Sequence, residues 1–155
     1  MRVLMLIGPP AIGKTTFAKS LAAKHDSVFI DLKDFQPKYM SWEDIQKSYD
    51  MAEKELRKAV SSKENENKLI IFEHTLLKKK RRPRYINAIK EENSSIPIDC
   101  IVLSPKEETF YRNVDSRFSD FIETDYVREE YISAFDVFEM PTLDEGYRSI
   151  GVIKY

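Results

Sequence analysis

Gly8-Pro9-Pro10-Ala11-Ile12-Gly13-Lys14-Thr15 decides the fold of this chain. It has the spacing G-x-x-x-x-G-K-[ST]. In such a loop, backbone N–H groups face phosphate oxygens with little side-chain obstruction, and the start of the next helix adds partial positive charge. The lysine reaches the β- and γ-phosphates and the hydroxyl ligates Mg²⁺. The flanks supply the context the motif needs. Val3 to Ile7 is a continuous apolar run, expected for a strand covered on both faces. From Lys14 to Lys24 the pattern is helical, with Phe17, Ala18, Leu21 and Ala22 on one face. Gly8, Ala11, Ile12, Gly13, Lys14, Thr15 and Thr16 are therefore candidate nucleotide-phosphate ligands, and Thr15 the candidate metal ligand. ATP and Mg²⁺ are the expected cofactors.

Outward from the loop, apolar strands alternate with helical segments. Val28 to Ile30, Leu69 to Phe72, Ile98 to Leu103 and Ile150 to Ile153 read as further strands. Helices are expected from Ser41 to Val60, Lys79 to Glu92, Lys106 to Phe118 and Asp125 to Phe138. Ser41 and Asp44 have the spacing of an N-terminal capping box, and Pro83 fits only a first helical turn. The polar stretch from Ser61 to Asn67 reads as a loop. This alternation predicts an α/β fold of the P-loop NTPase type, with a five-stranded parallel sheet and helices on both faces. No repeat or linker divides the chain, so residues 1–155 are expected to form one domain.

Composition narrows the class. Apolar residues make up 42%, enough for a core and too many for general disorder. Lys and Arg number 25 against 26 Asp and Glu, which excludes a polybasic protein but not a local basic patch. The single cysteine, Cys100, excludes an internal disulfide framework and a Cys-rich zinc site. No apolar run approaches the roughly 20 residues that span a bilayer, and the apolar N-terminus runs into glycine without a cleavage signal. A cytoplasmic location without membrane association is expected.

A phosphate loop gives nucleotide binding and leaves the reaction open. No N-K-x-D segment of switch GTPases is present, and large ATPases need more chain. A small kinase is the economical reading. The chain resembles the small P-loop kinases of the polynucleotide 5′-kinase type. Met5 to Thr16 is similar to the family's I-x-G-x-P-G-x-G-K-S-T, with Ala11 where glycine is frequent. Phe138-Glu139-Met140-Pro141-Thr142-Leu143-Asp144-Glu145-Gly146-Tyr147 is similar to F-E-x-P-x-x-D-E-G-F. Tyr111-Arg112-Asn113 with Arg117 is similar to the lid segment R-N-x-x-R, one residue longer. Glu73-His74-Thr75-Leu76 is similar to D-[AST]-[NT]-L, with glutamate for aspartate.

The resemblance implies a kinase moving the γ-phosphate of ATP to a hydroxyl, foremost a 5′-hydroxyl of DNA or RNA. The alternative acceptor is a nucleoside, a nucleotide, a modified DNA base or another small-molecule hydroxyl. The family's D-x-x-R, which carries the general base and an acceptor-phosphate ligand, is replaced by Asp31-Leu32-Lys33-Asp34-Phe35-Gln36-Pro37-Lys38. Asp34 is the preferred base and Asp31 the other candidate, with Lys38 the nearest equivalent of the arginine. Glu73 is expected to hold a metal-bound water or to orient the acceptor, and Thr75 to contact it. Arg112 and Arg117 would stabilise charge spreading over the transferred phosphoryl group. His74 reads more readily as structural than as a donor to the acceptor. The run Lys78-Lys79-Lys80-Arg81-Arg82-Pro83-Arg84 is a candidate nucleic-acid track, with Lys79, Arg81 and Arg82 on the backbone. Phe35, Tyr39 and Trp42 are candidates for stacking on an acceptor base, or for core packing.

Overall fold

The computed structural model describes residues 1–37, 40–118 and 124–155, with no side-chain description at 117, 118, 124–128 and 130. Five strands form one parallel sheet: β1 (Arg2–Ile7), β2 (Ser27–Asp31), β3 (Leu69–Glu73), β4 (Ile98–Ser104) and β5 (Ser149–Lys154). Their order is β2-β3-β1-β4-β5. Parallel strands need crossovers, and among the described residues five helices supply them. These are α1 (Lys14–Ala22), α2 (Trp42–Ser61), α3 (Pro83–Glu92), α4 (Glu107–Phe118) and α5 (Thr124–Asp136). The α/β P-loop NTPase architecture expected from the alternation is the one observed.

Both sheet faces are covered, which explains the near-continuous apolar strands. On one face Val3, Met5, Ile70, Phe72, Ile98 and Cys100 pack against Ala52, Leu56 and Val60 of α2 and Tyr85, Ile86 and Ile89 of α3. On the other, Leu4, Leu6, Leu69 and Ile71 meet Ala18 of α1. Leu103 packs with Phe110 and Val114 of α4. The period-2 alternation of strand side chains sorts neighbouring residues to opposite faces.

Local chemistry sets the helix ends. Ser41 and Asp44 form the reciprocal capping box of α2. The backbone hydrogen bond from Ser41, with one from its hydroxyl, holds the Asp44 carboxyl below the usual range. The third expected helix differs at its start. Lys79–Arg81 make a separate 3₁₀ turn, and α3 begins at Pro83, its N1 residue. Proline lacks the N–H that an interior position would require, so the chain restarts its helix there.

Parallel pairing brings the C-terminal ends of the strands to one edge. Asp31 and Glu73 are register partners on β2 and β3, and Leu6 pairs with Glu73 across β1 and β3. Gly8 follows β1 at the same edge. Among the described residues, no helix is long and apolar enough to cross a membrane.

Candidate active site

The loop from Gly8 to Gly13 turns the chain from β1 into α1. Gly8 has φ 133 and Gly13 has φ 83, both in the region that side chains disfavour. A Cβ at Gly13 would also meet the Tyr155 hydroxyl at 2.6 Å. Ala11 takes φ 62, a left-handed value costly for an L-residue. It stands at the position where the resembled family favours glycine. Asn113 of α4 supports it, donating from Nδ2 to the Ala11 carbonyl at 3.0 Å. The Gly8 amide donates to the Thr75 carbonyl at 2.9 Å, tying the loop to the segment after β3.

Lys14 is buried, and its Nζ donates to the carbonyls of Pro9 at 2.7 Å and Gly8 at 3.1 Å. The ammonium thus lies along the loop at the N-terminus of α1. The Thr15 hydroxyl donates to Glu73 Oε1 at 2.8 Å and accepts from Lys33 Nζ at 3.4 Å. Glu73 is 3% exposed, and its Oε2 has no hydrogen-bond partner among the described residues. Burial pushes the Glu73 carboxyl up, the Thr15 hydrogen bond opposes that, and the neighbouring Asp31 adds to it. A buried carboxylate oxygen without a partner, next to a hydroxyl and a second carboxylate, is a hard-oxygen set that suits Mg²⁺. Among the described residues, no group of three or more His, Cys, Asp or Glu is arranged to hold a metal ion. Mg²⁺ is commonly held by one or two protein oxygens together with substrate phosphates, and Thr15 with Glu73 fits that mode.

A cleft of about 580 Å³ opens over these groups. Pro10, Ala11, Gly13, Lys14, Thr15 and Thr16 line its floor, and Asp31, Lys33, Glu73 and Thr75 one wall. The volume falls within the roughly 300–1,000 Å³ of ligand sites. Two cavities adjoin it. One of about 580 Å³ is lined by Gly13, Thr16, Arg112, Asn113 and Tyr155. The other, of about 210 Å³, shares Tyr49, His74 and Thr75 with the cleft.

The two aspartates separate. Asp31 is buried, lines the cleft and caps the following 3₁₀ turn by accepting from the Lys33 amide at 3.0 Å. Asp34, the preferred base in the sequence, is exposed and does not line the cleft. One 3₁₀ turn rotates it away from the strand end. Ile12 places its side chain in the core beside Leu103 and Phe110, leaving only its backbone toward a ligand. Arg112 lines the rear cavity, and Arg117 lies on α4 with its side chain outside the described residues. Lys38 and Tyr39 also lie outside the described residues.

The basic run is mostly internal or neutralised, contrary to the expected track. Arg82 is 0% exposed. It donates to both Glu145 oxygens at 2.9 and 3.2 Å, to the Leu76 carbonyl at 3.1 Å, and to the carbonyls of Leu77 and Glu139. A guanidinium with five donors can fasten three chain segments in this way, and that is why it is inside. Lys79 pairs with Asp144 at 2.9 Å, and Arg84 with Asp50 and Glu53. Lys80 and Arg81 have no ion pair among the described residues. The tail from Glu139 to Glu145 is therefore the counterpart of the run, and the two together brace the segment after β3.

His74 is likewise structural. The Leu76 N–H donates to its Nδ1 at 3.3 Å, so Nε2 carries the proton and donates to the Tyr85 hydroxyl at 3.1 Å. Burial first, then Lys14 and Arg84, hold its pKa down to about 3, and the ring stays neutral. Lys33 and Tyr155 are site residues that spacing did not single out, and Asn113, within the lid-like segment, is one to which spacing gave no role of its own. Lys33 lies between the two aspartates without a motif of its own. Tyr155 donates its hydroxyl to the Ile12 carbonyl from 143 positions away.

A family model described as an AAA domain matches residues 3–136. No curated protein matches the sequence. Among solved structures, a putative kinase from Chloroflexus aurantiacus is similar with TM-score 0.69 and 13% identity, over 99% of this chain and 88% of that one. A sugar kinase from a Janibacter species has TM-score 0.62 and 17% identity, over 99% and 85%. A chain of the Pnkp1/Rnl/Hen1 RNA repair complex has TM-score 0.57 and 18% identity, over 87% of this chain and 44% of that one. These likenesses concern the fold.

Proposed function

Since the chain belongs to the AAA-domain family of P-loop proteins, we propose that it is a kinase transferring the γ-phosphate of ATP to an acceptor hydroxyl. The observation that carries this reading is the Thr15–Glu73 contact, with the second Glu73 oxygen, beside Asp31, unpartnered among the described residues. Loop amides and the start of α1 bind the β- and γ-phosphates. Lys14 exchanges its Gly8 and Pro9 carbonyls for phosphate oxygens. Thr15 and Glu73 hold Mg²⁺, which supplies charge neutralisation on the phosphates when bound. Asp31, buried at the strand end, takes the proton of the acceptor hydroxyl. The hydroxyl oxygen bonds the γ-phosphorus as the β–γ bridging P–O bond breaks, and ADP leaves. Arg112 and Arg117 of α4 stabilise the spreading charge.

A nucleic-acid 5′-hydroxyl is a second reading of the acceptor. The exposed Lys80 and Arg81 support it, and the internal pairing of Lys79, Arg82 and Arg84 weighs against an extended track. Calorimetry of MgATP binding tests the nucleotide reading, with a labelled-ATP transfer screen over oligonucleotides, nucleosides and sugars. Lys14→Ala is expected to abolish both binding and transfer. Undiminished transfer by that variant overturns the assignment.

A further inference from the structure

The 210 Å³ cavity beside the cleft has an aromatic wall and one cation to spare. Trp42, at the start of α2, is 67% exposed at its rim. Tyr49 and Tyr85 line it around His74, with ring centroids 5.2 and 5.1 Å from the imidazole. Three cations line it too. Arg84 is committed to Asp50 and Glu53, and Lys78 faces Glu139 at 3.8 Å. Arg81 has no ion pair among the described residues.

We propose that this cavity is the acceptor subsite and that it takes a small ring compound bearing a hydroxyl and one anionic group, such as a phosphorylated sugar or nucleoside. The inference rests on the phosphotransfer reading above for the use made of the bound molecule. Size decides between monomer and strand. The cavity is smaller than the roughly 300–1,000 Å³ of drug-sized sites, so it seats one base or sugar ring, and the rest of a monomer extends into the cleft it adjoins. The faces of Trp42 and Tyr49 stack on a planar base or pack on the C–H face of a sugar, while Tyr85 and His74 are buried. The remaining guanidinium of Arg81 matches one phosphate or carboxylate bidentately. Tyr49, His74 and Thr75 line both spaces, so a ring bound here adjoins the cleft that Asp31 lines.

Trp42 is the only tryptophan, and its fluorescence reports occupancy without catalysis. The probes are ribose and ribose 5-phosphate, uridine and UMP, and a 5′-hydroxyl decanucleotide. Each is titrated into the wild type and into Lys14→Ala, where a response from the nucleotide cleft is removed. The expected result is at least tenfold tighter binding of the phosphorylated monomer than of its neutral partner in both backgrounds. Arg81→Ala is expected to erase that preference and Arg81→Lys to restore part of it, with MgATP affinity unchanged in both. Equal affinity for neutral and anionic monomers, an unchanged preference in Arg81→Ala, or tenfold tighter binding of the oligonucleotide overturns the proposal. If the wild type binds no MgATP while Trp42 still reports the anionic monomer, the kinase reading falls and the anion subsite stands.

Discussion

Replacing Glu145 with alanine is expected to destabilise the fold by about 3–5 kcal/mol, because it leaves the Arg82 charge buried without its partner. The Arg82 side chain is 0% and that of Glu145 2% exposed, so solvent does not screen the pair. A domain of this size loses roughly 2–4 °C in Tm per kcal/mol, which converts to a fall of about 6–20 °C. Against a typical total stability of about 5–15 kcal/mol, this is a fifth or more of the margin. Glu145→Gln keeps an acceptor and the shape while removing the charge, so its loss should be smaller. Arg82→Met should cost at least as much as Glu145→Ala, since it also orphans the carbonyls of Leu76, Leu77 and Glu139. Urea unfolding at pH 7, followed by far-UV circular dichroism, gives the midpoints, and an unchanged m-value keeps the comparison two-state. If Glu145→Ala moves stability by less than about 1 kcal/mol, the pair behaves as a surface contact and the bracing role assigned to it is wrong.

Other substitutions separate binding from chemistry. Asp31→Asn should lower kcat by roughly 10²–10⁴-fold with MgATP affinity retained, read from steady-state kinetics beside calorimetry; a full-rate variant would remove Asp31 as the base. Glu73→Gln should cost activity yet stabilise the protein near neutral pH. The folded-state pKa of Glu73 is raised, so its contribution to stability is complete below the unfolded pKa and is lost as pH rises through the folded value. The stability advantage of Glu73→Gln should therefore be present at pH 7 and vanish below about pH 4, as unfolding midpoints across pH would show. Gly13→Ala should lose about 1–2 kcal/mol from its positive φ alone, with further loss from the Tyr155 contact; an unaltered unfolding midpoint would contradict that geometry.

The sheet and its loop were legible because apolar runs of strand length and a fixed glycine–lysine spacing depend only on local sequence. The capping box at Ser41 and the start at Pro83 were legible for the same reason. What sequence could not give was direction. Asp31 and Asp34 are three residues apart, and only the 3₁₀ turn between them decides which faces the cleft. Seven consecutive residues with six cations look like a surface track. Arg82 is nevertheless internal, because the Glu139 carbonyl and the Glu145 carboxylate that it binds lie 57 and 63 positions away. Tyr155 against Ile12 is likewise a tertiary contact with no local signature.

The stitching of residues 139–155 back onto the front half bears on the order of assembly. The strand–loop–helix around Lys14 is local and can form from one short stretch of chain. The Arg82–Glu145 clasp closes a separation of 63 residues, and the Tyr155–Ile12 contact one of 143. By loop-closure entropy, the longer contact costs about 0.7 kcal/mol more to nucleate from the open chain. The rear support of the phosphate loop is thus the contact with the larger closure cost of the two. Substitutions at Tyr155 should act mainly on unfolding rates, as contacts made late along the folding path do.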